Sequence, residues 1–170
     1  MVLFVYAFVC ALAVASPQKV LVFNSRYGQS HSNFLGTIAD VLVDAGMDVT
    51  SLIPEICTAF TVGTKKSKII RIPGDPRSTE IWHNGLTVGD RSLLFRGPSH
   101  QPASINTFAP LMAGAFTGQC RVTIEHPGLI ERLRNKKYDV VIGENWDYCG
   151  HGIFHLIKAK SFISVSSSGI

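Results

Sequence analysis

Charged residues are scarce in this sequence: they make up 16% of its 170 residues, whereas 46% are hydrophobic. This balance is typical of a compact globular fold and excludes a disordered chain or a long coiled coil. The sequence also lacks an internal repeat, which excludes a solenoid. Because single domains usually contain about 100 to 200 residues, we expect one domain with a sizeable core.

Motifs that bind phosphate groups are also lacking. The chain has no Walker-type GxxxxGK[ST] sequence, and the glycines at 28, 36 and 46 do not form a dinucleotide fingerprint. The net charge of +4 is divided between two separate clusters, Lys65, Lys66 and Lys68, and Arg132, Arg134, Lys136 and Lys137. The second cluster ends a predicted helix, where cations complement the helix dipole, and this position is enough to explain it. The alternative is that the second cluster binds phosphate. We expect no cofactor bound by this chain and no nucleic-acid partner.

Long apolar runs are limited to the amino terminus. Residues 1–15 carry no charge and end in Ala13, Val14 and Ala15, the small residues of a cleavage site, which predicts a secretory signal peptide. A retained membrane anchor is the alternative, although a membrane-spanning helix needs about 20 apolar residues. We expect residues 16–170 to form a domain in the lumen of the secretory pathway.

Three cysteines remain after removal of a signal peptide that contains Cys10: Cys57, Cys120 and Cys149. Three cysteines cannot all pair within one chain, although an oxidising lumen allows one pair. The simplest interpretation is that all three are small buried residues. We expect none of them to act as a nucleophile.

Five short apolar segments predict β-strands. They are Lys19–Phe23, residues 47–53, Lys68–Ile72, residues 138–143 and Phe162–Val165. Helical periodicity fills residues 32–45, closed by Gly46, and residues 148–159. Weaker helical stretches, broken by glycine and proline, cover residues around 79–95 and 104–116. The pattern predicts an α/β fold with a Rossmann-like parallel sheet and flanking helices.

Candidate catalytic residues follow the first and fourth predicted strands, because ligands of open parallel sheets bind at the carboxyl ends of the strands. Ser30, His31 and Ser32 follow the first strand at the start of a helix. The free N–H groups there disfavour a protonated imidazole, so we expect His31 to be neutral. A neutral histidine can act as a general base toward a hydroxyl group. The simpler interpretation is that His31 only occupies a helix start capped by Ser30.

Two carboxylates follow the fourth strand, Glu144 and Asp147. A carboxylate bonded to one imidazole nitrogen fixes the tautomer and stabilises the imidazolium that forms during proton transfer. Either carboxylate could serve His31 in this way. On position alone, Asp147 is more simply a helix cap.

His151 and His155 are four residues apart, as metal ligands on one helical face can be. A third ligand in register is lacking, so we interpret both as surface or packing residues. We expect no metal site.

The segment KVLVFNSRYGQSHSNFLGTIADVLVDAGMDVTSLIP resembles the opening of the UDP-glucuronosyltransferases, especially the nematode members. In that family Ser-His-x-x-Phe follows the first strand, and here these residues are Ser30, His31 and Phe34. TKKSKII and YDVVIGENWDYCGHGIFHLI continue the similarity, the latter with an acidic residue five places before a cysteine, namely Glu144 before Cys149. The similarity is weaker from 73 to 127.

This resemblance implies a role for each matching residue. His31 would be the catalytic base and Glu144 its partner, with Asp147 as a secondary acidic candidate. Ser30, Phe34 and Trp146 would contact the acceptor. Many family members have aspartate at the position of Glu144, and the longer glutamate moves its carboxylate by about one methylene group.

The resemblance also implies the amino-terminal half of a GT-B type glycosyltransferase, working in the endoplasmic reticulum. The complete enzyme would move glucuronic acid or another hexose from a UDP-sugar to the hydroxyl of a small lipophilic acceptor. The family binds the UDP-sugar co-substrate through a carboxyl-terminal domain and is held to the membrane by a carboxyl-terminal anchor. Neither lies in these 170 residues, so we expect an incomplete chain that is inactive alone. The oligomeric state, including a homo-oligomer, stays open.

Two alternatives belong to other functional classes. One is a truncated, non-catalytic lumenal relative that binds small apolar ligands or regulates partner subunits. The other is an unrelated α/β nucleotide-binding module, because this topology carries many functions. The Ser-His-x-x-Phe sequence argues against the second alternative.

Overall fold

The computed structural model describes residues 16–83 and 102–167. Within them lies one five-stranded parallel sheet with the strand order β3-β2-β1-β4-β5. The strands are β1 (Lys19–Phe23), β2 (Asp48–Pro54), β3 (Lys68–Ile72), β4 (Val140–Glu144) and β5 (Phe162–Val165). All five predicted strands are confirmed, and β2 and β4 are shifted toward the carboxyl terminus by one or two residues. The predicted signal peptide and most of the predicted helix at 79–95 lie outside the described residues.

Five helices connect the strands in the described part of the chain. They are α1 (Gln29–Asp44), α2 (Pro76–Ile81), α3 (Pro102–Glu125), α4 (Leu129–Lys136) and α5 (Cys149–Leu156). Helix α1 begins three residues before its predicted start, and α5 is shorter at both ends than predicted. The second basic cluster does end a helix, since Arg134 and Lys136 occupy the last turn of α4.

The expectation that glycine and proline break the helix at 104–116 is wrong. Helix α3 continues through Pro110 and through the glycines at 114 and 118. A Cβ atom at Gly118 would lie 2.6 Å from Oγ of Ser78, so this glycine allows α3 to approach α2 closely. The apolar side chains of Ala115, Met112 and Phe116 pack in a shared cluster beside α2. This packing stabilises the helix against its local sequence preference.

The sheet is covered on both faces, as the alternation of side chains along β1 requires. Val20 and Val22 point to a cluster that contains Leu35 and Ala39 of α1. Leu21 and Phe23 point to the opposite face, where the other partners come from β2, β3, α4 and α5 and include Leu52, Ile72, Leu129, Leu133 and Ile153. The predicted α/β class with helices on both faces is therefore confirmed.

The strand order determines where the chain can bind a ligand. Strand β1 pairs with β2 on one side and with β4 on the other, so the connections after β1 and β4 diverge to opposite faces of the sheet. Such a switch in strand order leaves a crevice at the carboxyl ends of the two strands. His31, in the first turn of α1, and Glu144, the last residue of β4, border this crevice.

A disulfide joins Cys120 in α3 to Cys149 at the start of α5, with 5.5 Å between the two Cα atoms. The simplest interpretation of these two cysteines, as unpaired buried residues, is wrong because α3 extends far enough to bring Cys120 to the end of the β4–α5 loop. Cys57 is a free, buried thiol, as expected.

The loop after β2 lies directly on α1. Asn24 is buried after β1, and its Nδ2 donates hydrogen bonds to the carbonyl oxygens of Ser32 and Val62 at 3.2 and 3.1 Å. Gly63 has a φ of +75°, and a Cβ atom there would lie 1.8 Å from the Ser32 carbonyl oxygen. Only glycine fits this left-handed position against the helix backbone. The contact fixes the first turns of α1 on the sheet.

Candidate active site

The histidine lies in the first turn of α1. Strand β1 ends at Phe23, and the helix begins at Gln29 after an extended Gly28 that makes no side-chain cap. Ser30 is exposed and already inside the helix, so the predicted cap by Ser30 is wrong. Starting the helix earlier than predicted turns His31 toward the carboxyl edge of β4.

Glu144 is the last residue of β4, and its side chain is only 2% exposed. Both of its carboxylate oxygens lie 2.9 Å from Nδ1 of His31. The register of β1 and β4 explains the contact, because Phe23, the last residue of β1, stands beside Gly143, the residue before Glu144. The structure therefore brings together the two residues that the resemblance names as base and partner.

Two hydroxyl groups complete the surroundings of the carboxylate. The phenol of Tyr27 donates to Oε2 of Glu144 at 2.8 Å. The hydroxyl of Ser167 donates to Oε1, and the backbone N–H of Ser167 donates to the same atom at 3.0 Å. Both hydroxyls also lie near Nδ1 of His31, at 3.0 Å for Tyr27 and 2.7 Å for Ser167.

The arrangement of donors determines the protonation of this cluster. An ionised carboxylate only accepts hydrogen bonds, and Nδ1 can carry one proton. With both hydroxyls donating to Glu144, the remaining contact to the carboxylate is satisfied by Nδ1–H. Nε2 then carries the lone pair, and within residues 16–83 and 102–167 no hydrogen bond to it is found. The imidazole is 21% exposed, so this nitrogen is the one that can meet a ligand.

The same contacts affect the pKa values of the two acidic groups. Burial raises the pKa of Glu144, but hydrogen bonds from His31, Ser167 and Tyr27 outweigh it and bring the pKa down to about 2. Burial, together with the hydrogen bond to Glu144 and its negative charge, raises the pKa of the Tyr27 phenol far above its ordinary value. At neutral pH the carboxylate is ionised and the phenol keeps its proton.

Asp147 does not contact His31 in the structure. Its Oδ2 accepts a hydrogen bond from Oγ of Ser25 at 2.7 Å, and its Oδ1 accepts the backbone N–H of Cys149, the first residue of α5, at 3.0 Å. The side chain is buried, and burial raises its pKa to about 6. Asp147 thus accepts the first N–H of α5, although the residue at the cap position is Tyr148, which makes no side-chain cap.

The three residues expected to contact the acceptor have different surroundings. The ring of Trp146 lies edge-on to the His31 ring, with 6.1 Å between centroids, and is 49% exposed. Ser30 is exposed in the first turn of α1. Phe34 is partly buried and packs against the core cluster between α1 and the sheet. The structure thus brings Trp146, but not Phe34, to the histidine.

The other histidine pair lies on α5. Nε2 of His151 is 3.4 Å from Oγ of Ser164, and its ring packs against Tyr148, Phe154 and Phe162. His155 is exposed. In the described segments, no group of three or more His, Cys, Asp or Glu residues lies close enough to hold a metal ion.

Sequence reasoning missed Tyr27 and Ser167. Tyr27 lies in the loop after β1, two residues before the helix, and its side chain is 6% exposed. Ser167 follows β5, whose carboxyl end lies beside that of β4. The expectation that functional residues follow the strands, applied to the fifth strand as well, would have identified the serine.

Solved structures with a related fold were found among glycosyltransferases. The chain aligns with SsfS6, a glycosyltransferase of Streptomyces sp. SF2575 complexed with thymidine diphosphate, with a TM-score of 0.59, 14% identity and coverage of 88% of this chain and 38% of that one. CalG4, the calicheamicin glycosyltransferase, aligns with a TM-score of 0.50 and 12% identity over 86% of this chain and 32% of that one. The predicted fold, a Rossmann-like parallel sheet with flanking helices like the amino-terminal half of GT-B type glycosyltransferases, is confirmed.

No family model matches the chain. Its sequence relatives are more specific than the structural neighbours, because they belong to one kind of glycosyltransferase. "Putative UDP-glucuronosyltransferase ugt-48" of Caenorhabditis elegans is 29% identical over 98% of this chain and 32% of its own length. "Putative UDP-glucuronosyltransferase ugt-56" of the same organism is 29% identical over 88% of this chain and 28% of its own length. The predicted resemblance to the UDP-glucuronosyltransferases, and to nematode members in particular, is confirmed. The chain spans about a third of the length of these relatives.

None of the helices in residues 16–83 and 102–167 combines the length and the apolar character that crossing a membrane requires.

Proposed function

We propose that this chain is the acceptor-binding part of a glycosyltransferase that moves glucuronic acid, or another hexose, from a UDP-sugar to a hydroxyl group. His31 is the general base of this reaction and Glu144 its partner. The observation that supports the proposal most strongly is the pair of 2.9 Å contacts between Nδ1 of His31 and the buried carboxylate, which leaves Nε2 facing outward as the acceptor of a proton.

The proposed reaction uses this arrangement. The acceptor hydroxyl donates a hydrogen bond to Nε2, and its proton moves to that nitrogen while its oxygen forms a bond to the anomeric carbon of the sugar. The bond between that carbon and the UDP oxygen breaks on the opposite face, so the configuration inverts and UDP leaves as an anion. Glu144 stabilises the imidazolium that forms.

The acceptor is a small lipophilic molecule with a hydroxyl group. The half-exposed indole of Trp146, edge-on to the imidazole, supplies apolar surface beside Nε2. Ser30 lies one residue before the base with its side chain exposed, and it can bond a polar group of the acceptor. Phe34, which is partly buried against the cluster between α1 and the sheet, is the third residue proposed to contact the acceptor.

The UDP-sugar is a co-substrate held by a second domain. The chain spans about a third of its relatives, and we assign no residue of it to the nucleotide. We expect the complete protein to work in the secretory pathway, with residues 1–15 as the signal peptide, and the present 170 residues to be inactive alone.

The test compares two histidine variants in a protein that carries this chain together with a donor-binding domain. His31→Ala removes the base and should lower kcat by about 10² to 10⁴. His155→Ala is the matched control, because this histidine is exposed on α5, and it should keep the original rate. Transfer to a panel of small phenols and alcohols is measured by the amount of UDP released.

Retained turnover in His31→Ala would show that the imidazole is not the base. If instead the unmodified protein binds acceptors without releasing UDP in the presence of UDP-sugars, the chain belongs to a non-catalytic binding relative.

A further inference from the structure

Tyr27 lies between the base and the core. Its phenol oxygen is 2.8 Å from Oε2 of Glu144 and 3.0 Å from Nδ1 of His31. Its ring also lies against the imidazole, with 4.5 Å between the centroids and a tilt of 42°. One side chain therefore contacts both members of the pair, through its hydroxyl and through its ring.

The two carboxylate oxygens of Glu144 are held from different elements. Tyr27, in the loop after β1, donates to Oε2. Ser167, after β5, donates to Oε1 through its hydroxyl and its backbone N–H. Because each oxygen has its own donor, the carboxylate cannot rotate about its terminal torsion without losing a hydrogen bond. Its two oxygens remain equally distant from Nδ1, at 2.9 Å each.

Tyr27 is itself fixed by aromatic residues of α3 and of the segment at the end of α2. The rings of Trp82 and Phe116 meet the Tyr27 ring edge-on, with centroid distances of 6.1 and 5.3 Å. The indole N–H of Trp82 donates to the carbonyl oxygen of Tyr27 at 2.6 Å. Tyr27 is thus immobilised in a buried aromatic cluster, and its hydroxyl is preorganised toward Glu144.

We propose that Tyr27 is a positioning residue: its hydroxyl fixes the Glu144 carboxylate against Nδ1 of His31, and its ring fixes the plane of the imidazole. This inference rests on the proposed role of His31 as the base. Tyr27 touches neither the acceptor nor the sugar in this scheme and acts only through Glu144 and His31. It also links α2 and α3 to the catalytic pair.

The hydroxyl has a second effect, on charge. A carboxylate that accepts a hydrogen bond from a phenol shares part of its negative charge with that donor, so it attracts a protonated imidazole less strongly. Without the phenol, the imidazolium should be more stable, and His31 should stay protonated to higher pH. Besides His31 itself, two ionisable groups act on the phenol through their charges, Glu144 and Asp147, and both are present in every variant compared.

The experiment is a nuclear magnetic resonance titration of the His31 ring in the full chain, with the signal assigned from His31→Gln. Tyr27→Phe keeps the aromatic ring and removes only the hydroxyl. We expect its titration midpoint for His31 to rise by about 0.5 to 1 pH unit, the equivalent of one ordinary hydrogen bond. Tyr138→Phe removes the hydroxyl of a different buried tyrosine, packed in the core cluster on the α4 and α5 face, and should leave the midpoint unchanged.

Kinetics in a protein with a donor-binding domain supplies the second measurement. Tyr27→Phe should lower kcat about tenfold with little change in the KM of the acceptor, and the acid limb of its pH profile should move in the same direction as the titration. A cooperative urea transition in both tyrosine variants confirms that they fold.

An unchanged His31 midpoint and unchanged kcat in folded Tyr27→Phe would overturn the positioning role. The titration needs no turnover, so it separates the two proposals. If His31→Ala keeps its activity, the proposed function fails even where the Tyr27→Phe midpoint shifts. If His31→Ala is inactive and Tyr27→Phe behaves as the unmodified protein, only the inference on Tyr27 fails.

Discussion

Nδ1 of His31 lies 2.9 Å from Oε1 of Glu144, although 113 residues separate them in the sequence. The contact is produced by the parallel pairing of β1 with β4, whose carboxyl ends lie side by side. It joins a residue in the first turn of a helix to a buried carboxylate at a strand end, which is where α/β proteins place reactive groups. The glutamate reaches the imidazole with both oxygens, so its extra methylene group relative to aspartate does not prevent the contact.

Replacing the carboxylate tests the partner role of Glu144. Glu144→Gln keeps the size of the side chain but presents an amide that can donate to Nδ1, which favours the tautomer with a proton on Nε2. We expect kcat to fall by about 10² or more in a protein with a donor-binding domain. Glu131→Gln, an exposed change on α4, is the matched control. Equal rates for the two variants would exclude Glu144 from catalysis.

Asp147 should make stability depend on pH. Burial raises its pKa to about 6 from an ordinary 3.8. As the pH rises, the Asp147 carboxyl therefore ionises at a lower pH in the unfolded chain than in the folded chain. The folded state therefore loses stability between about pH 4 and pH 6, by up to about 3 kcal/mol, and the loss persists above pH 6. Asp147→Asn cannot ionise and should lose less stability than the unmodified protein between pH 4.5 and pH 7.

Urea unfolding at these two pH values measures the effect. Glu144 contributes little to the difference in stability between pH 4.5 and pH 7. Its pKa is lowered to about 2, and its contribution to stability is lost only as the pH falls below about 4.5. Asp44→Asn, at an exposed ion pair with Lys66, provides a surface control. If Asp147→Asn and Asp44→Asn show the same change between the two pH values, Asp147 is not the source.

The disulfide between Cys120 and Cys149 should stabilise the fold by about 3 to 4 kcal/mol, the value expected for closing a loop of 29 residues. Reduction, or replacement of both cysteines by alanine, should lower the free energy of unfolding by a similar amount, which is seen as a lower urea midpoint. The double variant should no longer respond to reductant, since Cys57 is buried and unpaired. A midpoint of the unmodified protein that is insensitive to dithiothreitol would contradict this assignment.

Local patterns were sufficient to predict the sheet and to single out His31 and Glu144, which the structure places in contact. Strands β1, β3 and β5 have the predicted bounds because each is a short apolar run with turn residues on both sides. His31 and Glu144 were identified because strand ends determine where functional residues lie and because the Ser-His-x-x-Phe sequence matches a family. Both signals are local in sequence.

The remaining features depend on contacts that periodicity does not encode. Helix α3 continues past Pro110 because its apolar side chains pack beside α2. The continuation of the helix brings Cys120 to Cys149. The direction of the Tyr27 phenol depends on the packing of its ring against Trp82 and Phe116.

The most direct measurement is the nitrogen-15 spectrum of the His31 ring in this chain at neutral pH, assigned by comparison with His31→Gln. The structure requires the proton on Nδ1, donated to Glu144, and the lone pair on Nε2, and Glu144→Gln should shift the ring toward the other tautomer. A ring that carries its neutral proton on Nε2 in the unmodified chain would contradict the role of His31 as a base directed at a bound hydroxyl.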